Sequence, residues 1–199
     1  MINSGIRAAA FCVAAALAML VAPAAALAML VAPAAAHGQP ENPLIPLVDA
    51  AAQRLEVAEP VAASKLLTGG LIEDPAREQQ VLDAVAADAT DRQIDPAYVT
   101  SAFRDQIDAT VAIEYTRLAQ WKFDPASAPV QAPDLATSRA TIDGLNRTMV
   151  TEMADEWTVL HSPTCPADLD AAKAVVTETR SLDPLYRQAV DFATRHYCR

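Results

Sequence analysis

Glycine is scarce in this chain, with five copies in 199 residues. They are not spaced as a dinucleotide fingerprint or a P-loop, and no G-x-S-x-G nucleophile elbow is present. Cysteine and histidine are rarer still. Cys12, Cys165, Cys198, His37, His161 and His196 are scattered along the chain. No zinc signature or other metal-ligand cluster can be drawn from them. Positive charge is in deficit, with a formal net charge of −10, so the electrostatic footprint of a nucleic-acid-binding protein is missing. Long β-branched runs are also missing, which leaves helical spacing as the dominant pattern.

Charge is almost absent from residues 1–36, where Arg7 stands alone. The apolar run from Ala8 ends in Ala34-Ala35-Ala36, a small-residue cleavage pattern, and the segment reads as a secretory signal peptide. It contains a tandem decamer, LAMLVAPAAA, at 17–26 and again at 27–36. The rival reading is a retained transmembrane helix. Pro23, Pro33 and the alanine richness favour cleavage, leaving no stable membrane anchor. Cys12 lacks the neighbours expected before a lipidated cysteine. Loss of Arg7 takes the net charge from −10 to −11, and the remaining 37–199 reads as a single domain large enough for its own core. Cys165 and Cys198 are then an even pair in an exported chain, which implies a disulfide. Its loop of about 33 residues is worth about 3–4 kcal/mol in the chain-entropy treatment.

Six helices are predicted. The first covers 43–67, with Leu47, Ala51, Leu55, Ala58 and Ala62 inward, kinked or divided by Pro60 and stopped by Gly69-Gly70. Asp74-Pro75 opens the second, to Arg92, and Asp95-Pro96 opens the third, to Lys122, each with aspartate as N-cap. The proline-rich stretch 124–134 connects to a fourth helix over 135–161, with Ile142, Leu145, Met149, Met153, Trp157 and Leu160 inward, ended by Pro163 and Pro166. Shorter helices over 167–180 and 183–197 complete an all-α bundle, a C-terminal hairpin stapled by the disulfide.

Inside one apolar stripe, Val99, Phe103, Ile107, Val111, Glu114, Leu118 and Trp121, stands a carboxylate. Glu114 must therefore be paired or protonated, and a structural ion pair would suffice to explain it. Thr110 lies one turn earlier on nearly the same face. Arg54 and Lys65 are 11 residues apart, about three turns plus 20°, so an unbroken helix presents both on one side. Arg77 follows Asp74 by three residues, which lets the carboxylate steady the guanidinium. Arg139 sits in the first turns of its helix, facing the positive dipole end, where a nearby anion would compensate. Singly these are surface charges; jointly they outline a cationic pocket holding one carboxylic acid.

The stretches LVDAAAQRLEVAEPVAASK (47–65), IEDPAREQQ (72–80), IDPAYVTSAFRDQIDATVAIEYTRLAQWKFDPASAP (94–129) and DLATSRATIDGLN (134–146) resemble the exported (gamma) subclass of AroQ-type chorismate mutases. The Cys165–Cys198 pair matches as well, and the resemblance covers 44–198. It implies a six-helix AroQ-like bundle and a homodimer with each site built within one chain. It also implies the Claisen rearrangement of chorismate to prephenate without a cofactor. By resemblance Arg54 and Arg139 grip carboxylates, Arg77 completes the cationic wall and Thr110 assists a carboxylate. Lys65 and a protonated Glu114 then donate to the ether oxygen. Glu78, directly after Arg77, is the candidate partner of the ring hydroxyl, with Gln79 and Gln80 as alternatives and a plain solvated helix face as the competing reading. The alternative reading is an exported helical protein that binds a small dicarboxylate or a partner surface without catalysis.

Overall fold

The computed structural model describes residues 42–199. The expected leader over 1–36, its duplicated decamer and its cleavage point lie outside the described residues. Among the described residues there is no strand. The helices are α1 (Ile45–Glu56), α2 (Ala58–Thr68), α3 (Pro75–Asp91), α4 (Pro96–Phe123), α5 (Leu135–Asp155), α6 (Trp157–Leu160), α7 (Cys165–Thr179) and α8 (Pro184–Ala193).

One device starts four of them. The side chains of Asp74, Asp95, Asp134 and Asp183 accept backbone N–H bonds from Arg77, Ala97, Thr137 and Tyr186, satisfying donors that a helix start leaves unpaired. Gly69, at φ 73°, closes α2 in the left-handed conformation that only glycine adopts without strain.

Two expected helices are divided. The break between α1 and α2 falls at Val57 rather than at Pro60 itself, because proline has no N–H to offer the Glu56 carbonyl one turn back. The helix predicted over 135–161 is interrupted at Glu156, which no proline or glycine announces. The redirected turn places Trp157 edge-on to Tyr98 at 5.1 Å and beside His161 at 4.1 Å between ring centroids. Pro166 opens α7 instead of merely ending its predecessor, and α8 stops at Ala193, short of 197. Counting each divided pair as one rod recovers six helices.

The long α4 is the spine, packed against α2, α3 and α8, while α1 packs against α5, α7 and α8. Leu47, Ala51, Leu55, Ala58, Val99, Phe103, Met149, Met153, Leu160 and Tyr197 are buried in the core. Leu145, expected inward, is only half-buried; Asn146 takes the buried position beside it. Arg180 binds Asp49 at 2.5 and 2.8 Å and Glu56 at 3.0 Å, tying α7 to α1 and holding the Asp49 carboxyl below its ordinary pKa. Buried Asp105 of α4 receives Arg195 and His196 from the segment after α8. The Cys165–Cys198 disulfide is formed, joining the start of α7 to that same segment.

Candidate active site

A cleft opens where α1 to α5 converge. Apolar walls come from Val61, Ile72, Val81, Ile107, Val111 and Ile142. Every predicted site residue also lines it: Arg54, Lys65, Asp74, Arg77, Glu78, Thr110, Glu114 and Arg139.

Arg54 leaves the last turn of α1, where the dipole favours a cation. It is 3% exposed. Its Nε donates to Asn146 Oδ1 at 2.7 Å and its Nη1 to Thr110 Oγ1 at 3.1 Å. The Thr110 hydroxyl in turn donates to the Gln106 carbonyl at 2.8 Å. Burial pulls the Arg54 pKa down to about 10, which still leaves it charged at neutral pH. The break at Val57 does not separate Arg54 from Lys65, since both halves of the divided helix face the cleft.

Lys65 donates to Glu114 Oε2 at 2.8 Å and to the Ile72 carbonyl at 2.5 Å. The second bond draws the segment after Gly69-Gly70 back over α2. Glu114, placed by the apolar stripe of α4, is 3% exposed. Burial pushes its pKa above the ordinary glutamate value; Lys65 and Arg54 pull the other way without cancelling the rise.

Asp74 does not hold the Arg77 guanidinium, as the three-residue spacing suggested. Its Oδ1 caps α3 by accepting the Arg77 backbone N–H at 3.1 Å, and its Oδ2 binds Arg139 Nη2 at 2.8 Å. That contact is the anion expected near Arg139. The Arg77 guanidinium turns instead to Asp143 of α5. The local spacing was satisfied by a backbone cap, leaving the side chain for a partner 66 residues away. Glu78 faces the cleft and binds Arg104 at 2.8 Å. Gln79 pairs with Asp83 on the exposed side of α3, and Gln80 faces a different groove, so neither is placed for the cleft.

Asp143 and Asn146 were not anticipated. Asn146 carried a readable signal: it stands between Ile142 and Met149 on the buried face of α5, as Glu114 stands within its own stripe. Asp143 carried none, since its pairing with Arg77 exists only after α3 and α5 meet.

Residues 46–115 match the family model described as chorismate mutase type II. The chain is similar to the secreted chorismate mutase of Mycolicibacterium smegmatis, 61% identical over 158 residues, covering 79% of this chain and 87% of that protein. It is 50% identical to the secreted chorismate mutase of Mycobacterium tuberculosis over 156 residues, 78% of each chain. The crystal structure of chorismate mutase from Burkholderia thailandensis superposes with a TM-score of 0.75 at 34% identity, over 79% of this chain and all of that one. Identity this high, sustained over most of two relatives and joined to a shared helical architecture, means that the chain belongs to the chorismate mutase type II family.

Proposed function

We propose that this chain is an exported chorismate mutase whose chemistry is carried by the cleft of α1 to α5. The observation that carries the reading is the convergence of Arg54, Lys65, Arg77 and Arg139 on one cleft with a buried Glu114. Chorismate is a dianion with an ether oxygen. In the rearrangement the ether C–O bond breaks as a C–C bond forms within the same molecule. The step takes up no proton, nucleophile or cofactor electron. Two tasks remain for the protein: to hold the substrate in its reactive chair, and to stabilise charge growing on the ether oxygen.

Arg54 and Arg139 bind the carboxylates, and Arg77 completes the cationic wall. Thr110 aims Arg54, consistent with their hydrogen bond. Lys65 donates to the ether oxygen. Glu114 is the second donor, which requires its protonated form, because an ionised carboxylate would repel the developing oxyanion. Its raised pKa supports that role. Glu78 is assigned to the ring hydroxyl, since of the three candidates it alone faces the cleft.

Export is supported by the leader-like 1–36 and by the two secreted relatives. No helix among the described residues is long and apolar enough to cross a membrane. The reading includes leader cleavage, a mature domain of 37–199 and a homodimer, the last supported by family resemblance and checked by light scattering. The decisive assay is prephenate formation by the oxidised 37–199 chain beside Arg139→Ala. A charge-assisted hydrogen bond is worth about 1.5–3 kcal/mol, so the variant should lose about ten- to hundredfold in kcat/KM. No turnover from a folded parent protein refutes the assignment.

A further inference from the structure

Three of the four cleft cations already have an acid partner. Lys65 has Glu114, Arg77 has Asp143 and Arg139 has Asp74. Arg54, the most deeply buried, does not: among the described residues its hydrogen-bond partners are the neutral acceptors Asn146 and Thr110. Asp143 and Glu114 act on this guanidinium only through space; a buried guanidinium with no carboxylate bonded to it is an expensive arrangement, and a carboxylate placed beside it would relieve the cost. Aspartate is nearly isosteric with asparagine, so position 146 could supply one with little change in shape.

Asn146 is itself buried and does not line the cleft; it borders the groove behind Arg77 and Asp143. It reaches Arg54 from the α5 side, behind the cleft, and does not itself face a ligand there. We infer that Asn146 is a positioning residue that aims Arg54 through a neutral acceptor, so that no carboxylate of the chain is bonded to that guanidinium in place of the dianionic substrate. The inference rests on the chorismate mutase reading of the cleft. Holding by oxygen alone would be served equally by asparagine or aspartate; withholding the negative charge is served only by asparagine. Thr110 follows the same logic from α4, orienting the guanidinium without neutralising it.

The test compares Asn146→Asp, Asn146→Ala and Arg54→Gln in the oxidised 37–199 chain, by steady-state kinetics on chorismate and by thermal melting. Asn146→Asp should melt at or above the parent, because Arg54 gains a counter-ion, yet raise KM by about tenfold or more. Asn146→Ala should melt below the parent but raise KM less than Asn146→Asp, since Arg54 keeps its free charge. The signature is this inverted order, in which the more stable variant binds substrate less well; a purely structural role for Asn146 gives no such inversion. An Asn146→Asp variant with KM within about twofold of the parent overturns the inference, as does one that fails to fold. Parental kinetics in Arg54→Gln would instead remove Arg54 from the site, overturning the cleft assignment and this inference with it.

Discussion

The sharpest consequence of the site concerns Glu114→Gln and pH. Glu114 is almost fully buried, and burial raises its pKa even though Lys65 Nζ is 2.8 Å away. As a donor to an oxyanion it works only when protonated. Activity should therefore be highest on the acid side of its pKa and fall about tenfold per pH unit above it, until a floor is reached. Removing one preorganised donor from an oxyanion site costs about 10²–10³-fold in kcat, which sets the depth of that floor. Glutamine donates through its amide at every pH. Glu114→Gln should match the parent on the acid plateau and hold that rate at alkaline pH. Stability moves with the same proton. The folded protein binds it more tightly than the unfolded chain, where glutamate titrates near about 4.3. Between that value and the raised folded value the native state holds more protons, so stability falls as pH rises. Above the folded value the cost is fully present, about 1.4 kcal/mol per tenfold difference in proton affinity. Glu114→Gln removes it and should melt higher than the parent at alkaline pH, with no such gain in acid. Chorismate turnover and melting curves across pH for both proteins decide the matter. A glutamine variant that keeps the parent's pH–rate profile refutes the protonated-donor argument.

Replacing Cys165 and Cys198 by serine opens a loop of 33 residues and should cost about 3–4 kcal/mol. For a domain of this size that lowers Tm by about 6–16 °C, and kcat at low temperature should stay near the parent value. Melting with and without reductant checks it. Met149→Ala, at a fully buried position away from the cleft, should cost about 2–5 kcal/mol in urea unfolding while leaving KM unchanged.

Local chemistry made much of the fold readable. Asp-Pro at 74–75 and 95–96 specified two helix starts because capping and proline's fixed φ act within one turn. Pro60 announced a break, and the missing N–H moved it one turn back to Val57. The interruption at Glu156 had no such marker. It accompanies the packing of Trp157 on Tyr98, residues that only the folded bundle brings together.

The site divided along the same line. Glu114 and the four cations were legible because a charge on an apolar face is a local anomaly that needs a reason. Their pairings were not. Asp74 to Arg139 and Arg77 to Asp143 span 65 and 66 residues, and a three-residue spacing misdirected the expectation for Arg77. Choosing Leu145 over Asn146 for the inward face of α5 concealed the acceptor that holds Arg54.

The first helix of the domain completes its packing only with the last ones. α1 lies against α5, α7 and α8, and its Asp49 is bound by Arg180, 131 residues downstream. A chain threaded outward in order from its N-terminal side thus presents Leu47, Val48 and Leu55 long before their cover arrives. α2 and α3 pack on α4 early in the chain, but the face of α1 that meets α5, α7 and α8 stays open until those helices follow. The N-terminal helix of the domain takes its native cover from the C-terminal third of the sequence, which ties completion of the core to arrival of the whole chain.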